Sequence, residues 1–289
     1  MTCSKLLMVQ TLTRHGTRAP DKIVGKVICK PMFDPKRSLN NAFVQLFGVG
    51  ATELTGVGVR QMRDVGAFLR EKYHGFLSAD YAAHSGEWEF VAKEGDRQQR
   101  SMMGIVLGVF PNDVVPIAVT NKATDSILGG PAAQCGSQTH DYVIKWHQTK
   151  GRALVQTNEY ADLIDTLERV CNISLLSDPV NLASRGANPH AYIGDISDFF
   201  DSLQETRFEE GLPISNKMHN KLTKLAFKLE HGAHFDFPGG AAMQAGGFPD
   251  HLLTDFDLFT NNPKTKPKGV PKIKMHTCSR ELFWIGRDF

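Results

Sequence analysis

Apolar positions along the chain switch between two periods. Leu6-Leu7-Met8-Val9-Gln10-Thr11-Leu12 is a short, nearly continuous apolar run with a β-branched residue inside it, which predicts a buried strand. Over residues 55–73 the apolar positions Val59, Met62, Val65 and Leu69 recur every three or four residues with Arg and Glu between them. That spacing predicts an amphipathic helix, with Thr55 as its N-cap. Phe90-Val91-Ala92 reads as a short strand, and a second helix follows Asp96-Arg97 through Met102, Met103, Ile105 and Val106 to a stop at Pro111. Near the end, the stretch from Lys272 to Cys278 reads as a strand that feeds a helix beginning at Ser279. Strands alternating with helices predict an α/β fold with a mostly parallel sheet.

Between Asn112 and Pro271 the pattern is helical and irregular. Helices are expected near 137–149, 158–170, 195–207 and 214–231, separated by breaks such as Gly129-Gly130-Pro131 and Gly211-Leu212-Pro213. Because this block lies between sheet segments, it reads as an inserted helical cap over residues 112–270, with residues 1–111 and 271–289 forming the core. The basic segment Lys264–Lys272 enters the last strand at its amino end, and so should lie opposite a site built at the carboxyl ends.

A chain of 289 residues with 41% hydrophobic content is long enough for such a core and insertion together. A net charge of +2 is too small to suggest a nucleic-acid partner. No run of 18 apolar residues is present, so no membrane span is expected. Starting the first strand at Leu6 leaves no room for a secretory signal, so the chain is expected either to be cytoplasmic or to have lost a signal before Met1. Five cysteines without a C-x-x-C pair argue against a full disulfide framework and against a zinc knuckle. Asn172-Ile173-Ser174 is a glycosylation sequon that matters only in a secreted chain. No feature fixes an oligomeric state.

Candidate chemistry concentrates in Arg14-His15-Gly16-Thr17-Arg18-Ala19-Pro20, directly after the first strand. In an open α/β sheet, the crevice beyond a strand's carboxyl end is where ligands bind. Two guanidiniums around one imidazole repel cations but suit an anion that is clamped bidentately, with phosphate the obvious one. The imidazole is then placed to act as a nucleophile toward phosphorus. Three other groups of residues point elsewhere and carry less. His231, His234 and Asp236 have the residue types of a metal site, but a helix ending at Gly232 would separate them, and further ligands cannot be named. Asp255-Phe256-Asp257 lacks the Thr or Val that an aspartate-nucleophile phosphatase needs two residues on, where Phe259 stands. No cysteine has an arginine six residues later, as a cysteine-based phosphatase requires.

Taken together, the motifs resemble the histidine acid phosphatase family, branch 2 of the histidine phosphatases. Its R-H-G-x-R-x-P signature matches Arg14 to Pro20. Its L-T-x-x-G-x-x-Q helix ending in L-R-x-x-Y matches Leu54 to Tyr73, and its D-R-x-x-x-S segment closing on G-x-F-P matches Asp96 to Pro111. The resemblance implies a three-layer α/β/α core with a central mixed, mostly parallel sheet and a helical cap, as in phosphoglycerate-mutase-like folds. It also implies His15 as the nucleophile, Arg14, Arg18 and Arg97 as a phosphate clamp, and a phosphorylated small-molecule substrate. No cofactor or metal enters that chemistry. A phosphoglycerate-mutase-like transferase fits less well, because the R-x-P tail belongs to the acid-phosphatase branch.

The family closes its site with His-Asp at the start of a helix after the last strand. The same alignment puts Ser279 where that His belongs and Arg280 where the Asp belongs, with Glu281 the nearest acid. Some relatives use Glu one position after the usual Asp, which makes Glu281 a candidate general acid and Ser279 a candidate phosphate contact. His276 would reach the closing position only by a three-residue slip of the strand, which reverses its inward face. The expected activity is phosphomonoester hydrolysis through a phosphohistidine. The alternative is an impaired relative that binds a phosphorylated ligand without turning it over.

Overall fold

A computed structural model describes residues 6, 8–19, 48–50, 52–121, 141–143, 145–171, 215–236, 253–254 and 273–278. These fall into two compact units. One takes in the described residues of Met1–Thr17, Gly56–Gln134 and Ala242–Phe289, and the other those of Arg18–Thr55 and Cys135–Ala241.

In the first unit, strands β1 (Val9–Arg14), β2 (Trp88–Lys93), β3 (Ala118–Thr120) and β4 (Ile273–Cys278) form a sheet in the order β1-β4-β2-β3. Every described pair is parallel. The α/β class with a parallel sheet is therefore as the alternating pattern implies. The last strand in sequence sits between the first two, so their carboxyl ends share one edge. β1 begins and ends later than the apolar run suggests, running on through Thr13 and Arg14. The parallel ladder to β4, from Val9 opposite Ile273 to Arg14 opposite Cys278, holds these polar residues extended. β3 lies inside the stretch read as helical. Its three residues, partly exposed at the sheet edge, are too few to register as a strand in the pattern of side chains.

Helices α1 (Gly56–Lys72) and α2 (Asp96–Val109) pack on the face of the sheet that carries Trp88, Phe90, Ala92 and Met275. Met62, Leu69, Met102, Ile105 and Val109 complete this core with Phe110, whose ring meets Trp88 edge-on with centroids 4.7 Å apart. α1 begins one residue after Thr55, where the cap was expected. The two helices touch backbone to backbone: a methyl group on Gly66 would strike the carbonyl of Ile105, and one on Gly108 would strike that of Arg63.

In the second unit, α3 (Ala161–Cys171) buries Leu163, Ile164 and Leu167, and α4 (Asn216–Phe235) buries Leu222, Leu225, Ala226, Leu229 and Ala233. Ser215 caps α4, its hydroxyl accepting from the Met218 amide at 3.3 Å. α4 does not stop at Gly232. It continues to Phe235, because Gly232 leaves room for the indole ring of Trp146, which a Cβ there would meet. A π-helical turn, His147–Gly151, follows that tryptophan. The helix expected near 195–207 and the segment Lys264–Lys272 lie outside the described residues. No described helix is long and apolar enough to cross a membrane.

Candidate active site

β1 delivers Arg14 and His15 to the carboxyl edge of the sheet, and three motif residues fix the loop that follows. His15 is 6% exposed, and its Nδ1 lies 2.8 Å from the Gly16 carbonyl oxygen. A carbonyl only accepts, so this contact calls for a proton on Nδ1, and in a neutral imidazole the lone pair then belongs to Nε2. A neutral histidine in that tautomer presents a nucleophilic nitrogen on its far side.

The backbone on either side of His15 is tied to both helices. The Gly16 amide donates to Ser101 Oγ at 3.1 Å, and the same hydroxyl donates to the Arg97 carbonyl at 2.6 Å. Gln61 Oε1 accepts from both the amide and the hydroxyl of Thr17, at 2.9 and 2.8 Å. Gly16 also approaches Gly58 so closely that a Cβ on it would collide with the Gly58 carbonyl. Thus Gly58, Gln61 and Ser101, which enter the sequence only as letters of recurring motifs, each touch the loop that bears His15. The signal was present in the motifs, but their physical role needed the fold.

Arg97 stands in the first turn of α2, partly buried, and the turn before it depends on Gly95 at φ 146°. That backbone conformation favours glycine, and a Cβ there would also strike the Gln98 side chain. Asp96, beside it, is exposed and pairs with Arg100 at 2.9 Å. Ser101 therefore brings the Arg97 turn to the His15 loop within the first unit.

Arg18 belongs to the second unit and is also buried. Its Nη1 donates to the Ala19 carbonyl at 3.0 Å, and its backbone bridges to Leu54 in antiparallel fashion. The Ala19 amide donates to the Glu53 carbonyl at 2.8 Å, while the Thr52 amide donates back to Ala19 at 3.0 Å. The sequence pattern gave no sign of this small ladder.

Ser279, Arg280 and Glu281 lie outside the described residues. His276, weighed as a substitute for the closing histidine, is 3% exposed inside β4. It sits opposite Leu12 and Val91, two residues short of Cys278, the residue level with Arg14.

The three residues with metal-ligand character lie at the end of α4, and each has another contact. Asp236 Oδ2 accepts from the Trp146 indole at 3.1 Å, His234 Nε2 is 3.4 Å from Glu230, and the His231 ring stacks on Phe235 with centroids 5.1 Å apart. Among the described residues, no three His, Cys, Asp or Glu side chains gather in a way that would hold a metal ion.

A basic loop bearing His15 thus follows β1 at the carboxyl edge of a parallel α/β sheet. The chain belongs to the histidine phosphatase superfamily, branch 2, whose family model matches residues 5–167. It is 27% identical over 195 residues to testicular acid phosphatase of Homo sapiens, covering 62% of this chain and 41% of that protein. With lysosomal acid phosphatase of Rattus norvegicus it shares 35% identity over 256 residues, covering 76% of this chain and 57% of the relative. The chain thus spans 41% and 57% of the length of these two relatives. Its fold is similar to that of Hafnia alvei phytase in complex with myo-inositol hexakis sulphate, with a TM-score of 0.64 at 17% identity over 96% of this chain and 73% of the other. It is also similar to the Bifidobacterium longum multiple inositol polyphosphate phosphatase in complex with inositol hexasulfate, with a TM-score of 0.61 at 10% identity over 97% and 74%.

Proposed function

We propose that the chain hydrolyses phosphomonoesters of the acid-phosphatase type through a covalent phosphohistidine. The single observation that supports this most is the contact between His15 Nδ1 and the Gly16 carbonyl, which leaves Nε2 as the nucleophilic nitrogen in a basic loop. In the first step, Nε2 attacks phosphorus and the ester P–O bond breaks, its electron pair departing with the alcohol oxygen. Arg14, Arg18 and Arg97 bind the non-bridging oxygens, where charge develops in the transition state. A water molecule then attacks the phosphohistidine, releasing inorganic phosphate and restoring the imidazole. Acid phosphatases and phytases among the relatives support a small phosphorylated substrate.

Protonation of the leaving oxygen falls to Glu281 in this reading, with Ser279 as a weak phosphoryl donor. Loss of a general acid costs about 10² to 10⁴ in rate, and less when the leaving group departs unprotonated. The second reading, a phospho-ligand binder without turnover, is favoured by the sequence alignment that sets Ser279-Arg280 against the family's His-Asp. Turnover of p-nitrophenyl phosphate by wild type and His15→Ala, measured side by side, tests the first reading. A wild-type rate no higher than that of His15→Ala leaves the binder.

A further inference from the structure

Gln61 meets the loop that bears His15 through a single atom. Its Oε1 accepts from the Thr17 amide at 2.9 Å and from the Thr17 hydroxyl at 2.8 Å. Both partners donate, so the atom between them has to be the carboxamide oxygen, and its two lone pairs are thereby used. Thr17 is 6% exposed, which makes bulk water a poor substitute for that oxygen. Gly58, on the same helix and one turn earlier, lies against Gly16 main chain to main chain. α1 thus holds Gly16 and Thr17, the two residues that follow the nucleophile.

Those hydrogen bonds ask only for an acceptor oxygen at the reach of Gln61. Glutamate has the same reach and offers stronger, charge-assisted bonds. Yet Gly58, Gln61 and Ser101 each touch the loop, and each is uncharged. The anion explains the choice. Two residues of chain and one side chain put a charge at position 61 on the order of 10 Å from a phosphate on His15. In a partly buried setting that is close enough to repel it. We propose that Gln61 is a positioning residue with two separable duties. Its oxygen sets the His15 loop on α1, and its neutrality preserves the affinity of that loop for an anion. This rests on the phosphatase reading above, and deepens it by separating what holds the nucleophile from what holds the phosphate.

The test compares wild type, Gln61→Met and Gln61→Glu in the full chain, by turnover of p-nitrophenyl phosphate and calorimetric titration with inorganic phosphate. Gln61→Met keeps the length and removes the acceptor, and kcat is expected to fall by about tenfold or more. Gln61→Glu keeps the acceptor, so kcat should stay within about threefold of wild type. Its Kd for phosphate should nevertheless rise about three- to thirtyfold, and the rise should shrink in added salt. A part in packing alone would not split kcat from affinity in this way. Unchanged kcat in a folded Gln61→Met, or wild-type phosphate affinity in Gln61→Glu, overturns the assignment and leaves the phosphatase reading standing. Wild type that neither binds phosphate nor turns over overturns both. If wild type binds without turnover, the affinity of Gln61→Glu decides alone. Should Gln61→Met not fold, Thr17→Val removes one of the two donors at nearly constant shape. A lowered kcat there supports the positioning role, and an unchanged one overturns it.

Discussion

The amide of Gly16 and the hydroxyl of Ser101, 85 residues apart in sequence, meet at 3.1 Å. That hydroxyl in turn donates a hydrogen bond to the Arg97 carbonyl, so one side chain sets the distance between the loop that bears His15 and the turn that carries Arg97.

Ser101→Ala should therefore damage both stability and rate. It strands a buried amide, at a cost of about 1–3 kcal/mol, and it frees the loop relative to α2. Denaturant melts should show the stability loss. Turnover of p-nitrophenyl phosphate per folded molecule should fall by about tenfold or more, since small misplacement of a reacting group is expensive. A drop in stability with unchanged turnover would show that the hydroxyl serves packing alone.

Arg97→Ala and Arg14→Ala should each weaken binding of phosphate or vanadate, by about 1.5–3 kcal/mol for one charge-assisted contact. Binding unaffected by Arg97→Ala would mean that the first turn of α2 does not face the ligand.

Leaving-group dependence reports on the proton donor. If Ser279-Arg280 has replaced the usual acid, phosphohistidine should be trapped from p-nitrophenyl phosphate and scarcely from glycerol phosphate. If Glu281 is the acid, both esters should turn over comparably, and Glu281→Gln should remove the alkyl activity selectively. Comparable rates with no effect of Glu281→Gln would redirect attention to His276.

Activity should survive EDTA, because the proposed chemistry uses arginines in place of a metal to stabilise charge. Complete loss with EDTA and rescue by a divalent ion would refute the phosphohistidine mechanism.

In the second unit, Gly232→Ala should destabilise, although alanine is normally the better helix former by about 1 kcal/mol. The added methyl would have to displace the Trp146 ring, and overpacking of that kind costs about 1–3 kcal/mol. Thermal melts and the indole fluorescence should both shift.

The sequence was most readable where local rules and chemistry coincide. Val59, Met62, Val65 and Leu69 repeat at helical spacing, and α1 forms there. Phe90 to Ala92 sits between polar neighbours, and β2 forms there. Arg14, His15, Arg18 and Arg97 were named because charge and nucleophile crowd into recognisable motifs. Gln61 and Ser101 showed only as motif letters and not as contacts, since their hydrogen bonds join residues far apart in sequence. β3 was missed because three edge residues carry no periodicity. Gly232 misled, since a glycine at a helix end and a glycine under a ring look identical in one dimension.

Gly66 and Gly108 let α1 and α2 meet through main-chain atoms. Side chains can be exchanged for others of different size, but main chain cannot, so the spacing of these helices is a constant of the fold. Gln61 rides on one helix and Ser101 on the other, and between them they grip the loop after β1. The position of the loop that bears His15 is therefore inherited from a contact with no adjustable part. Sequence change in chains with this architecture can then enter only outside that contact, which leaves the anchor points of the loop where they are.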